Sequence, residues 1–351
     1  MAYRILYMTI YIIIFLSSLS ILLIKNVKIK RLSSNILLLV MTLTCALRSE
    51  NIGSDTLNYV SIYDSVIGLA YYIEKDPLFG ILGMLVHAVS GNYQIFQILI
   101  GIITYFPLFI IFNKYSDDIA VSVLIFIFAT NRYFFETFNI MRQAAAASYL
   151  LWCWIMVDNK KYWKSLILFL IAAGFHHTSW ICFPIALLAL KVKLSIKTIC
   201  ISLLGTLVFS LVFSNMNILV SLQKIFLSNE TIGKYDTYEK ELAKTIWGLL
   251  PIVLPYACIS ILGYGQYKDN YIFRLFTYGS IFTIFISVLP MAYRITYGII
   301  ILELLIFPMM LKRKSNNKFL IQCIIICLII YSFIDFLDTC NLAKLVPYQI
   351  F

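Results

Sequence analysis

The sequence predicts an all-α polytopic membrane protein, and three observations lead to this fold class. The chain of 351 residues is 61% hydrophobic and only 13% charged, whereas soluble domains carry about 25% charged residues. Apolar runs close to the length that crosses a bilayer as a helix recur from end to end. The basic residues collect in short segments between these runs. Because lipid requires every backbone polar group to be satisfied internally, the spans are expected to be helices.

The lengths of the apolar runs predict about 12 transmembrane segments, within a range of roughly 10 to 12. Segments 163–175 and 178–190 are each too short to cross about 30 Å of hydrocarbon. They are therefore predicted to form a tight pair or a broken, re-entrant element. Stretch 78–90 is also short and is placed at the membrane interface. The candidate spans are residues 5–24, 32–47, 93–112, 119–131, 140–157, 163–175, 178–190, 198–214, 246–265, 271–290, 293–311 and 318–336.

The domain organisation is predicted to be a single integral membrane unit over residues 1–351, with two larger outer loops at about 48–92 and 215–245. Arg4 precedes the first apolar run, residues 5–24, as in a signal peptide. That run is long for a signal sequence, and a basic segment follows it in place of a small-residue cleavage site. A retained first span is expected.

The orientation follows from four basic segments that fall on one side of the predicted topology. Since Lys and Arg concentrate in cytoplasmic loops, this side is expected to be cytoplasmic, with both termini outside. The opposite side includes residues 48–77, which carry five acidic residues against two basic ones. The four basic segments are residues 25–31, 158–164, 191–197 and 312–318.

The composition argues against several classes of function. The net charge of +11 does not predict nucleic-acid binding, because the basic residues lie in short loops as the positive-inside rule requires. None of the eight cysteines forms a CxxC pair or has metal-ligand spacing. No phosphate-binding glycine loop, zinc-protease motif or metal–phosphate acidic pair is present in the sequence. No metal and no cofactor are therefore expected.

Several ionisable side chains lie at the mouths of apolar spans, where a charge needs a specific reason. Arg48 ends the second span and Arg142 lies inside the start of the fifth. His176 and His177 fall between the two short segments, and Arg294 begins the eleventh span. All are predicted to lie near the non-cytoplasmic face. This convergence predicts a functional site there, although Arg48 could also be a snorkelling flank residue.

Arg142 is the strongest of these candidates. Helical spacing places it on the same face as Asn139 and Ala146, and the four consecutive alanines that follow it let helices pack closely. An arginine on such a face points into the bundle, which favours a functional role. The alternative is a structural ion pair with Glu136 or Asp55.

Two polar clusters complete the predicted site. The adjacent histidines, followed by Thr178 and Ser179, form a polar pocket at a helix break. Segment 48–59 is predicted to turn at Gly53 and then to offer N-cap residues to a helix. A helix N-terminus near several arginines favours phosphate, and guanidinium groups without a metal suit a pyrophosphate ligand.

The same segments, in the same order, resemble the EpsG family of polysaccharide polymerases, a branch of the Wzy-like membrane proteins. The resemblance extends over essentially the whole chain. The segments that carry it are LRSENIGSDTLNY (47–59), FETFNIMRQAAAAS (135–148), FHHTSWICFP (175–184), YRITYG (293–298) and VPYQIF (346–351).

The resemblance implies a glycosyltransferase of the bacterial inner membrane whose active site faces the periplasm. A growing glycan on undecaprenyl diphosphate would be the donor, and a lipid-linked repeat unit the acceptor. A Gram-negative O-antigen polymerase is favoured over a Gram-positive exopolysaccharide polymerase. A chain-length regulator and a flippase are candidate partners beside the lipid bilayer, and nucleic acid is not expected.

The resemblance also assigns roles to residues. Arg142 and Arg294 are assigned to the diphosphate, with Arg48 as a third candidate, because cations there stabilise the leaving group. His176 is the first candidate for the base that activates the acceptor hydroxyl, and Asp55 is the second. Further residues expected to contribute to binding are Gln143, His177 and Glu136.

Two other functions remain open from the residues alone. A flippase or transporter of lipid-linked oligosaccharides would use arginines in a central cavity, but it would be expected to show inverted repeats, and none is evident. A membrane glycosyltransferase that uses a single lipid-phosphate sugar would be expected to carry acidic pairs in its first outer loop, where Asp55 is a lone candidate.

Overall fold

The structure, a computed structural model, describes residues 8–129, 132–213, 246–287, 293–312 and 317–350. Within these ranges the chain forms 17 helices and no β-strand. The predicted outer loop 215–245 lies outside the described residues. The helices are α1 (Thr9–Leu22), α2 (Val27–Ala46), α3 (Thr56–Asp64), α4 (Val66–Lys75), α5 (Pro77–Ser90), α6 (Tyr93–Lys114), α7 (Ile119–Phe128), α8 (Tyr133–Asn139), α9 (Met141–Asp158), α10 (Tyr162–Phe175), α11 (Ser179–Lys191), α12 (Ile196–Phe213), α13 (Ile246–Tyr267), α14 (Tyr271–Ile286), α15 (Tyr293–Ile300), α16 (Glu303–Lys312) and α17 (Lys318–Thr339).

The helices coincide with the predicted apolar runs and support a helical membrane protein, but they do not support about 12 full spans. In the part of the chain that the structure describes, four stretches are long and apolar enough to cross a membrane: α2, α6, α17 and Arg294–Lys312. The pair α7 and α8, bent by 54°, would make a fifth. The remaining apolar helices include several of only 10–17 residues. The structure therefore does not support the predicted count of about 12 spans.

Run 119–131 shows how an apolar run fails to become a straight span. Helix α7 ends at Phe128, and Arg132 adopts the left-handed conformation with φ 43°. A new helix, α8, then begins at Tyr133. Ala129 is already extended, with ψ 159°, so α7 ends before the predicted end of the apolar run.

The chain divides into two compact units. The first comprises Met1–Trp180 and Ile301–Phe351, and the second comprises Ile181–Ile300. In the first unit, α9 packs against α6 and α10, while α6 also packs against α2. In the second, α14 packs against α12, α13 and α15. Buried hydroxyls join helices of the second unit, since Thr283 Oγ1 donates to Thr296 Oγ1 at 2.6 Å.

In the first unit, basic residues lie at one end of the helices and the candidate site lies at the other end. Asn35 and Asn113 exchange side-chain hydrogen bonds of 2.7 and 3.0 Å, which joins the start of α2 to the end of α6. Asp117, which follows α6, forms an ion pair of 3.0 Å with Lys312 at the end of α16. At the opposite end of α2, the amide of Gln97 donates to the carbonyl of Ala46 at 3.1 Å. Because α9 starts at that end, its far end and the segment 158–164 lie at the same end of the first unit as Lys312.

The alanines of α9 pack as the sequence predicts. All four alanines that follow Gln143 are buried, and α9 is flanked by α6 and α10. Small side chains allow such close approach of helices. This packing fixes the start of α9, and with it the position of Arg142.

Candidate functional site

The predicted turn in segment 48–59 is present, and it requires its glycine. Gly53 has φ +97°, and its N–H donates to the carbonyl of Lys344 at 2.9 Å. A Cβ at this position would lie 2.7 Å from both the carbonyl oxygen of Phe138 and Oγ1 of Thr56. A side chain would therefore be strained by both conformation and contact. The turn brings α3 against the end of α8.

Arg48 is completely buried, and its guanidinium is bound by main-chain oxygens. It donates to the carbonyls of Cys45, Ile52 at 3.3 Å and Phe138 at 3.2 Å. The guanidinium also lies 5.3 Å from the centre of the Phe138 ring. With an exposed fraction of 0%, the side chain does not snorkel to solvent. This arrangement favours a packing role for Arg48 over contact with a diphosphate.

Asp55 and Glu136 do not pair with Arg142. Asp55 precedes α3, but its carboxylate does not cap the helix; it accepts a bond of 3.3 Å from Ser54 Oγ. Ser54 is in turn held by Asn139, whose Oδ1 accepts from the Ser54 N–H at 2.8 Å. Glu136 is buried within α8. The two acids named in the alternative interpretation of Arg142 are therefore not its ion-pair partners among the described residues.

Arg142 instead forms an ion pair with Asp76, through its Nη1 and the carboxylate Oδ2. Its guanidinium lies 4.3 Å from the ring centre of Tyr72, 5.6 Å from that of Phe79 and 5.8 Å from that of Tyr59. These rings come from three helices of the outer loop, α3, α4 and α5. Arg142 keeps 17% of its side chain exposed. Aromatic faces and a carboxylate thus compensate a cation in apolar surroundings.

Asp76 is the centre of the site, and sequence reasoning did not single it out. Its side chain is fully buried between α4 and α5. Oδ1 accepts the backbone N–H of His177 at 2.9 Å and lies 2.9 Å from His177 Nδ1. Burial opposes ionisation, but the hydrogen bonds from His177 and the charge of Arg142 outweigh it and lower the pKa of Asp76. The carboxylate is therefore ionised at neutral pH.

The two histidines occupy different environments. Their rings stack with centres 4.7 Å apart. His176 Nδ1 accepts the backbone N–H of Thr178 at 3.2 Å, and burial lowers its pKa to about 3. His176 is thus neutral at physiological pH. Gln143 joins this group, because its Nε2 donates to Thr178 Oγ1 at 3.5 Å.

The structure brings together four of the eight predicted site residues and adds Asp76 to them. Arg142, Gln143, His176 and His177 meet around Asp76 in the first unit. Arg294 lies near the start of α15 in the second unit. Its contribution to the diphosphate site stays a prediction.

The cluster also offers ligands that could hold a metal ion. One atom each from Asp76, His176 and His177 lies within 4.8 Å of the others. Both carboxylate oxygens of Asp76 already accept hydrogen bonds, from Arg142 and His177. A metal ion would have to compete with the guanidinium of Arg142 for this carboxylate. The existing ion pair therefore disfavours metal binding at Asp76.

The apolar helices and the buried cluster define the class of this protein: an integral membrane protein with a polar site at the mouths of its helices. The model of the EpsG family matches residues 31–350. The chain therefore belongs to the EpsG family, a family of Wzy-like polysaccharide polymerase-type proteins. No curated protein and no solved structure matches the chain significantly.

Proposed function

We propose that this protein polymerises lipid-linked oligosaccharide repeat units, as an O-antigen polymerase or a polymerase of a related surface polysaccharide. The growing glycan on undecaprenyl diphosphate is the donor, and a lipid-linked repeat unit is the acceptor. The reaction takes place at the periplasmic face of the bacterial inner membrane. The observation that carries the proposal is the cluster of Arg142, Asp76 and His177 in a member of the EpsG family. It lies at the end of the first unit opposite the basic segments.

The chemistry of glycosyl transfer fits this cluster. As the bond between the anomeric carbon and the diphosphate breaks, negative charge builds up on the leaving oxygen. A fixed cation at that position stabilises the transition state more than the ground state. Arg142 supplies such a cation and retains an exposed surface. Arg294 is proposed as a second cation for the diphosphate, and Arg48 is proposed to support the site by packing.

A flippase or transporter of the same lipid-linked oligosaccharide is the alternative. Such a protein would move its substrate through a cavity near mid-depth of the membrane. The cluster instead lies at helix ends, where Asp76 precedes α5 and Arg142 begins α9. A transferase that uses a lipid-phosphate sugar would use outer-loop acids as its catalytic groups. The outer-loop Asp76 is bound by Arg142, which favours a positioning role.

The proposal is tested by the glycolipids of a strain that lacks this gene. A polymerase defect leaves a single repeat unit on the lipid core, visible as one short band on a gel, and a plasmid copy restores the ladder. Undecaprenyl-linked single repeat units are expected to accumulate in the periplasmic leaflet. Complete absence of repeat units from the lipid core would contradict the polymerase and support the flippase or an earlier transferase.

A further inference from the structure

We infer that His177 is the base that accepts the proton of the acceptor hydroxyl, and that Asp76 is the residue that positions it. This inference rests on the proposed function, adds Asp76 to that reaction and gives His177 a role as its base. It reverses the order suggested by the sequence, which ranks His176 first.

Asp76 fixes both the main chain and the ring of His177. One carboxylate oxygen, Oδ1, accepts the backbone N–H and lies within hydrogen-bond distance of Nδ1, each at 2.9 Å. An ionised carboxylate accepts only, so Nδ1 is the nitrogen that carries the hydrogen. The other nitrogen, Nε2, then has its lone pair available. A carboxylate that orients a histidine in this way also stabilises the imidazolium formed when the ring accepts a proton.

Exposure separates the two histidines. His177 keeps 44% of its side chain exposed, so a substrate hydroxyl can approach its ring. His176 is more buried, and its Nδ1 is taken by the backbone N–H of Thr178. The ring of His176 instead stacks on the ring of His177 and supports it from one side. The geometry therefore gives the base to His177 and a supporting contact to His176.

Arg142 completes the arrangement by binding the second oxygen of Asp76. The guanidinium keeps a buried carboxylate ionised, which a carboxylate surrounded by apolar groups would not be. Its contact with Tyr72, at 4.3 Å, holds it in place from the opposite side. Arg142, the proposed diphosphate ligand, is thus linked through Asp76 to His177, the proposed base. The group that binds the leaving diphosphate and the group that accepts the proton therefore lie close together.

The proposed step balances as follows. Nε2 of His177 takes the proton from the acceptor hydroxyl while that oxygen forms a bond to the anomeric carbon of the donor. The bond from the anomeric carbon to the diphosphate oxygen breaks, and its electron pair leaves with undecaprenyl diphosphate. The imidazolium then returns its proton to solvent or to the departing diphosphate, and no oxidant or co-reactant is needed.

The test measures the rate of glycan growth by purified protein in lipid nanodiscs. The probe is the lipid-linked repeat unit extracted from the deletion strain. Since general bases contribute about 10²–10⁴-fold, His177→Ala is expected to lower the rate at least about 100-fold. His177→Gly is expected to recover activity when imidazole is added, because the small base can occupy the vacated space. His87→Ala is the matched control, because His87 packs on the Tyr63 ring outside the cluster, and its rate should equal that of the wild type.

Asp76 is tested by combining substitutions. Asp76→Asn should lower the rate by a larger factor in the wild type than in the His177→Ala background, where the part of its effect that acts through the base is already lost. Losses that multiply would show that Asp76 acts apart from His177 and would overturn its positioning role. If Asp76→Asn does not accumulate in membranes, Asp76→Glu replaces it, since it keeps a charge for Arg142 but shifts the oxygen that holds the ring.

The remaining outcomes are also decisive. A His177→Ala rate within about threefold of the wild type, well short of the contribution of a base, would overturn the inference. Loss of activity with a chelator and recovery with a divalent cation would assign the three side chains to a metal instead. Failure of the wild-type protein to extend the probe would count against the proposed function itself, so the two failures are distinguishable.

Discussion

At the residue scale, two arginines in apolar surroundings have different partners and therefore different roles. Arg48 satisfies main-chain carbonyls at the junction of α2, the glycine turn and α8. Arg142 pairs with a carboxylate and lies against aromatic rings while part of it remains exposed. The first set of partners is typical of a packing role, because the donors are used up by carbonyls that would otherwise be unsatisfied.

The packing role of Arg48 predicts a loss of stability. Arg48→Ala leaves buried carbonyls without donors, which is expected to lower the free energy of unfolding by about 2–4 kcal/mol. Thermal unfolding of the purified protein in detergent measures the effect. Arg31→Ala is the control, because Arg31 is exposed and its removal should leave the melting temperature unchanged. A stable Arg48→Ala variant that has lost polymerisation would instead support the role in diphosphate binding.

The sequence could identify most side chains of the site but not their partners. The alternative pairing considered for Arg142 named Glu136 and Asp55, whereas its partner in the structure is Asp76, 66 residues away in sequence. Asp76 was visible only as one of five acids in residues 48–77. Nothing in a single sequence distinguishes it from the others. Its burial arises from the packing of α4, α5, α9 and α10, which is a tertiary property.

At the element scale, the C-terminal segment closes over the glycine turn. The N–H of Ser49 donates to the carbonyl of Gln349 at 2.9 Å. Two tyrosine hydroxyls add further bonds of 2.9 Å, from Tyr348 to the carbonyl of Thr44 and from Tyr11 to that of Leu345. The last residues therefore bind α1 and the end of α2 and support the turn that carries Gly53.

This contact predicts that the end of the chain contributes to stability. Removal of residues 345–351 is expected to reduce the amount of protein in membranes and to lower its melting temperature. Tyr348→Phe removes a single hydrogen bond and should cost about 1 kcal/mol. Tyr331→Phe serves as the matched control, because Tyr331 is exposed. Normal abundance and stability of the shortened chain would contradict a supporting role for this segment.

The elements themselves were largely predictable, because apolar runs and helices share their positions. Helices α6, α9 and α10 begin and end within two residues of the predicted runs. The division of these runs into spans was not predictable. Helix breaks such as the one after Phe128 depend on a backbone conformation that hydropathy does not report.

At the scale of the whole molecule, the charged groups of the first unit are distributed unevenly between its two ends. Basic segments collect at one end of the first unit, and the Asp76 cluster lies at the other. By the positive-inside rule, the cluster is expected on the non-cytoplasmic side, as the proposed function requires. A polymerase that extends lipid-linked glycans needs its acid–base and diphosphate groups on the side where the substrates are displayed.

The length distribution of the surface glycan in a strain that carries only Arg142→Lys shows whether the guanidinium of Arg142 is needed for polymerisation. Lysine keeps the charge but loses the planar guanidinium that binds Asp76 and lies against Tyr72. With membrane abundance equal to that of the wild type, the account predicts nearly complete loss of long glycan and retention of single repeat units. Full-length glycan in this variant would contradict a catalytic role for Arg142 and for the site around it.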